Sequence, residues 1–138
     1  LMVRILREAD DFVSVITYLK YDLLTQEAKN VLVPAAHDLD VAVVLASPLH
    51  GGLLGSKRDH WRDCGRYGDA FEKQERVEKV LDKHGLDSVD TGLRYLLSDE
   101  RVSLVLSGVD SVDEIDRSVA VSDGRVLSNT LIEEIEAA

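Results

Sequence analysis

Cysteine is nearly absent from this chain: Cys64 stands alone, which excludes an internal disulfide and a cysteine-built zinc cluster and suits a reducing compartment. Proline is limited to Pro34 and Pro48, so no proline-rich linker divides the 138 residues, and neither an internal repeat nor a low-complexity tract is present. No apolar run approaches the roughly 18 residues of a membrane span, and the residues from Leu1 to Arg7 hold no apolar core of a secretion signal. A soluble, cytoplasmic protein with no membrane partner is expected. Basic residues are also short, with 16 Lys and Arg against 26 Asp and Glu, a net charge of -10 and a pI near 4.7. Binding to nucleic acid needs the opposite sign along its phosphates, so a nucleic-acid partner is disfavoured.

What is present suffices for one core. The chain is 45% hydrophobic with a mean hydropathy of -0.06, in 15.3 kDa. Met2, Ile5, Leu6 and Ala9 fall at helical spacing until Asp10 and Asp11 break the pattern. Residues 12–18 are β-branched and aromatic, and they predict a strand covered on both faces. Thr25 has the chemistry of a helix N-cap before an apolar stripe of Ala28, Val31, Leu32, Ala35, Ala36 and Leu39, although Pro34 inside that stripe removes a helical hydrogen bond. Residues 41–46 are six apolar residues in a row and predict a second strand buried on both faces.

Residues 47–68, with five glycines and many charges but no apolar period, predict a long loop, and a loop of that length in a compact domain is usually functional. A helix over 69–84 stopped by Gly85, a second opened by Asp87 or Ser88 and carrying Leu93, Leu96 and Leu97, and a third buried strand over 102–106 follow. Ser111 and Ser128 then cap two last helices, the first carrying Val112, Ile115 and Val119 and the second running from Leu131 to Ile135. Strands alternate with helices and no two strands are joined by a hairpin, so the fold class is α/β with a parallel sheet.

Two segments carry candidate chemistry. The run from Ser47 to Gly55 follows a parallel strand directly, where open α/β sheets and barrels both place ligands, and glycine lets backbone N–H groups approach a phosphate. As a bare pattern it matches neither the dinucleotide fingerprint nor a P-loop, and a structural turn is the simpler account. Ser107 to Ser111 repeats the arrangement after the third strand and ends at a helix N-terminus, which favours anions, although ordinary capping explains it equally. His37, His50, His60 and His84 show no metal-ligand spacing, and only His50 sits on a candidate loop. Tyr18, Lys20 and Tyr21 suggest an acid–base group, but strand alternation sends Tyr21 to the opposite face. Trp61 reads either as a lid anchor or as a surface-packed loop residue.

Four motifs in order resemble the second half of the aldo-keto reductase family, near its L-galactose and D-threo-aldose dehydrogenase branch. They are residues 18–24 (YLKYDLL), 46–54 (ASPLHGGLL), 92–97 (GLRYLL) and 106–115 (LSGVDSVDEI). The resemblance implies a (β/α)8 TIM barrel, with these three strands as its sixth, seventh and eighth. A whole barrel takes roughly 250 residues, so residues 1–138 are expected to be the C-terminal half, a single incomplete domain. The family's catalytic Asp, Tyr, Lys and His belong to the first five strands, and none of those four motifs is present here. By resemblance, Ser47, Leu49 and Gly51 line the cofactor pyrophosphate, Gly108, Ser111 and Glu114 sit near the adenosine ribose, and Tyr18 lies at the nicotinamide.

Departures bear on the cofactor. Ala46 replaces a stacking tyrosine, Arg117 and Ser118 replace Glu and Asn, and Glu114 with Asp110 stands where NADP-preferring members place basic residues. A carboxylate accepts from a ribose 2′-OH and repels a 2′-phosphate, so NAD is expected over NADP. The implied partners are a nicotinamide cofactor and a sugar or small carbonyl substrate, with self-association through the open barrel edges. The other class of reading is a non-catalytic binding or assembly module, or a gene remnant, on the same half-barrel.

Overall fold

In the computed structural model, which describes residues 1–9 and 11–138, three parallel strands form one sheet in the order β1-β2-β3. β1 is Ser14–Tyr18, β2 is Ala42–Ala46 and β3 is Leu104–Leu106. Cross-strand neighbours are Ile16, Val44 and Leu104 in one row and Tyr18, Ala46 and Leu106 in the next. The helices are α1 (Met2–Glu8), α2 (Glu27–Asp38), α3 (Arg58–Asp63), α4 (Gly68–His84), α5 (Ser88–Leu97), α6 (Val112–Val121) and α7 (Asn129–Ala137). The break in the first apolar pattern involves Asp10, which lies outside the described residues.

The strand alternation sends Val15, Thr17, Val43, Leu45 and Val105 toward the helices, where Val43 and Leu45 are fully buried with Leu23, Val33, Leu53, Leu81 and Leu96. The other face departs from expectation. Ile16 is 53% exposed, Tyr18 60%, Leu104 50% and Leu106 44%, so the strands predicted to be buried on both sides are covered on one. The buried apolar residues of α2, α4, α5 and α7 pack into the core with Val43 and Leu45, and among the described residues the opposite sheet face keeps its large apolar side chains exposed.

Local chemistry sets the element ends. Asp87 caps α5 by accepting from Val89 N and Asp90 N, Ser111 caps α6 at 3.2 Å from Glu114 N, and Ser128 caps α7 at 3.3 Å from Leu131 N. Gly85 ends α4 in the left-handed conformation. Thr25 does not cap α2: the helix starts after Gln26, and the Asp22 carboxylate serves the turn before it by accepting from Leu24 N at 2.8 Å and Thr25 N at 3.1 Å. Pro34 sits within α2 without ending it. The predicted loop 47–68 contains a 3-10 turn, His50–Gly52, and the short helix α3. No helix among the described residues is long and apolar enough to cross a membrane.

Behind the sheet, a polar network ties α7 to the rest. The Tyr95 hydroxyl donates to Glu136 at 2.6 Å, Lys29 pairs with the same carboxylate, and the Tyr21 hydroxyl donates to Asp99 at 3.0 Å. The two rings meet edge to face at 5.6 Å. Burial, reinforced by the Asp99 and Glu136 carboxylates, pushes both phenols well above their ordinary range. The folded chain therefore holds these protons more tightly than the unfolded one. Their contribution to stability is complete below about pH 10 and declines as pH rises above it. Denaturant midpoints measured between about pH 8 and pH 11 should fall steeply at the alkaline end. Tyr95→Phe should cost about 1 kcal/mol at neutral pH and flatten that fall.

Candidate functional site

A cavity of about 650 Å³ opens at the C-terminal ends of the strands, within the size range of small-molecule sites. Tyr18, Ser47, Leu49, Gly51, Gly108 and Glu114 all line it, so six of the seven residues singled out from the sequence converge on one space. Ser111 lies beside the cavity as the cap of α6, its hydroxyl taken by the Glu114 N–H. Glu114 in turn accepts through one carboxylate oxygen from the N–H of Asp110, the residue before the cap, at 3.0 Å.

The wall after β2 is built from unusual backbone. Ser47, His50, Gly51 and Gly52 all have positive φ, and strained backbone of this kind persists where the surroundings over-determine it. Ser47 Oγ accepts from Gly51 N at 2.9 Å, and Trp61 Nε1 donates to the Gly51 carbonyl at 2.9 Å. Trp61 is thus the anchor that brings α3 over the glycines. Gly51 has a φ of 66°, which strains any residue with a side chain, and a Cβ there would also stand 2.8 Å from the Tyr67 hydroxyl, so the chain's own backbone calls for glycine. Gly108 differs, because a methyl group built on it meets nothing within 4 Å and its φ is ordinary. That side of the cavity is open to a ligand.

Sequence reasoning missed the cations and the aromatic shelf. Lys57, Arg66 and Tyr67 also line the cavity, and the Arg66 guanidinium lies 5.0 Å over Trp61 and 4.9 Å over Tyr67. Nearby, Arg58 pairs with Glu78 and Arg62 with Asp59 and Glu75, which leaves Lys57 and Arg66 without a carboxylate partner among the described residues. Only the charges and aromatics in an otherwise patternless stretch hinted at this. Arg117 lines the cavity too, yet its guanidinium is held by Asp87 and Asp90. Burial opposes its charge, but the Asp90 hydrogen bond and the two carboxylates outweigh burial and hold it above the ordinary arginine range.

The acid–base cluster suggested by Tyr18, Lys20 and Tyr21 does not form. β1 ends at Tyr18, Lys20 bonds to Glu27 at 2.6 Å, and Tyr21 turns into the core toward Asp99. His50 is also turned inward, bonded to buried Asp22.

A parallel sheet with helices between its strands and a cavity at the strand ends defines an α/β fold of the barrel or doubly wound type. The sequence profile of the Aldo/keto reductase family matches residues 2–138. This chain belongs to the aldo/keto reductase family. It is 31% identical over 103 residues to YrpG of Bacillus subtilis strain 168, described as an uncharacterized oxidoreductase, a match covering 70% of this chain and 32% of YrpG. Its fold is similar to that of the aldo-keto reductase AKR11C1 from Bacillus halodurans in the holo form, with a TM-score of 0.72 and 20% identity, covering 99% of this chain and 45% of that one. The thermostable aldo-keto reductase Tm1743, solved with the inhibitor epalrestat, matches at a TM-score of 0.61 and 18% identity, over 89% of this chain and 39% of its own. The chain thus spans less than half the length of these relatives.

Proposed function

We propose that this chain is the dinucleotide-binding, C-terminal half of an NAD-preferring aldo-keto reductase, contributing strands six to eight of a (β/α)8 barrel as one incomplete domain. The observation that carries the reading is the convergence of Tyr18, the Ser47–Gly51 wall and Gly108 on one cavity at the strand ends. The residues fit a nicotinamide dinucleotide. Lys57 and Arg66 supply positive charge beside the Ser47, Leu49 and Gly51 wall where the pyrophosphate would lie, and open Gly108 admits the adenosine side.

When bound, the nicotinamide supplies the hydride chemistry, exchanging two electrons with a sugar or small carbonyl carbon. This chain's own residues bind and orient. Tyr18 stands at the strand end beside Ala46 and offers its ring at the nicotinamide end of the cavity. The uncovered sheet face, with Ile16 and Leu104 on either side of Val44, is on this reading the barrel interior, and the remaining five strands carry the Asp, Tyr, Lys and His acid–base group. The protein acts in the cytoplasm, on aldose-type substrates, and the 138-residue chain by itself binds cofactor without turnover.

The preference for NAD follows from charge. Asp110, in the loop after β3, and Glu114, in the first turn of α6, line the cavity, and the neighbouring cation, Arg117, is already committed to Asp87 and Asp90. A 2′-phosphate there would meet carboxylates, and a 2′-OH would find an acceptor. Trp61, the single tryptophan, lines the cavity and reports binding by its fluorescence. NADH should bind at least about tenfold tighter than NADPH. Tighter NADPH binding would overturn the NAD assignment, and failure of both to bind would overturn the cavity as a dinucleotide site.

A further inference from the structure

The residues after β2 adopt a costly course. Ser47 (φ 64) and His50 (φ 51) carry side chains in the left-handed region, immediately beside Gly51 (φ 66) and Gly52 (φ 90). Such a backbone relaxes unless something outside the loop holds it. Ser47 Oγ and Trp61 Nε1 grip the Gly51 peptide from within the same excursion of chain, and neither reaches the neighbouring strand. The tie that does is His50. Its Nδ1 lies 2.9 Å from Oδ2 of Asp22, in the turn that follows β1.

Asp22 is fully buried and both of its carboxylate oxygens are engaged: Oδ1 accepts from Leu24 N and Thr25 N, and Oδ2 takes His50. An ionised carboxylate only accepts, so His50 Nδ1 is the donor of this bond. The ring then packs edge-on against Tyr67 at 5.1 Å, Tyr67 meets Trp61 edge-on at 5.8 Å, and Trp61 returns to Gly51. The contacts close a circuit around the Gly51 peptide, with Asp22 as its anchor. Asp22 also stands four residues after Tyr18, so the same hydrogen bond sets the spacing between the strand end at Tyr18 and the Ser47–Gly52 wall. Neither Asp22 nor His50 lines the cavity.

We propose that Asp22 and His50 are a positioning pair for the dinucleotide site, holding the Ser47–Gly52 wall in its left-handed course and in register with Tyr18. The proposal rests on the dinucleotide reading above. Its chemistry makes a specific demand: a donor at the Nδ1 position on a residue that tolerates positive φ. Asparagine meets both conditions, since its amide nitrogen falls where Nδ1 was and it is enriched in the left-handed region. Glutamine, whose amide falls nearer the Nε2 position, meets neither and leaves Asp22 Oδ2 without its partner.

The experiment compares the wild-type chain with His50→Asn and His50→Gln by ligand-free Trp61 emission and acrylamide quenching, NADH titration and thermal unfolding. His50→Gln should weaken NADH binding about tenfold, shift Trp61 emission to the red and raise its quenching, and His50→Asn should stay within about threefold of wild type. Unchanged Trp61 emission and unchanged NADH affinity in His50→Gln would overturn the proposal. So would equal losses in both variants that track a lowered unfolding temperature, which would mark a purely structural role. A wild-type chain that fails to bind NADH would refute the dinucleotide reading instead, and the ligand-free Trp61 signals would still decide whether the pair holds the wall.

Discussion

Gly108→Val is expected to leave the fold intact and to weaken NADH binding about a hundredfold, whereas Gly51→Val is expected to damage both. The contrast rests on why each position is glycine. At Gly108 the backbone is ordinary and an added methyl meets nothing within 4 Å, so the chain itself makes no demand for glycine. The space is cavity, and a valine there fills volume that a bound dinucleotide would need. At Gly51 the φ of 66° already disfavours a β-branched residue, and the new Cβ would stand 2.8 Å from the Tyr67 hydroxyl. Relieving that contact moves Tyr67, which packs on His50 and Trp61, so the substitution should cost about 1–3 kcal/mol of stability in addition to affinity. Parallel thermal melts and NADH titrations separate the two effects. Normal NADH binding by Gly108→Val would show that this wall does not face the ligand.

The same glycines show what a sequence can and cannot disclose. Position relative to a buried strand was enough to mark Ser47 to Gly55 and Ser107 to Ser111, because ligand sites of parallel sheets lie at strand C-termini for reasons of topology. Caps were legible at Asp87, Ser111 and Ser128, where a short polar side chain precedes an apolar period. Thr25 misled for an instructive reason. It has the right chemistry, but fully buried Asp22 three residues earlier accepts from the turn's N–H groups instead, and Asp22 is itself bonded to His50 from a distant segment. The helix α3 was invisible because its six residues, Arg58–Asp63, have no apolar stripe: polar and aromatic contacts, the Trp61 bond to Gly51 and the Arg58–Glu78 pair among them, tie it to the fold. Lys57, Arg66 and Tyr67 reach the cavity only because α3 folds back in this way.

Strand composition has a deeper ambiguity. The apolar runs 12–18 and 41–46 announce strands that need cover on two faces, and this chain supplies helices for one. Composition records the demand for cover and cannot name its source. The family match, over a length less than half that of the relatives, agrees with that unmet demand.

The 138-residue chain on its own should therefore self-associate, and Ile16→Glu combined with Leu104→Glu should return it to a 15.3 kDa monomer. Ile16, Val44 and Leu104 form one row across the sheet and Tyr18, Ala46 and Leu106 the next, so the exposed apolar side chains are contiguous. Fully covering a side chain of this size is worth about 1.5–3 kcal/mol, and roughly half of that gain is still unrealised at Ile16, Leu104 and Leu106. The outer edges of β1 and β3 add unpaired backbone groups, and Val112, Ile115 and Val119 on α6 are exposed apolar residues as well. Two carboxylates in the central row would have to be desolvated in any face-to-face contact, at a cost far above the apolar gain. Both substituted side chains already face solvent, so the helix-covered core should keep its stability. Light scattering after gel filtration, with binding of a hydrophobic dye, decides the matter. A wild-type chain that is monodisperse at 15.3 kDa, unfolds cooperatively and binds no dye would show that the open sheet face needs no partner, and the reading of that face as the interior of a barrel would fall with it.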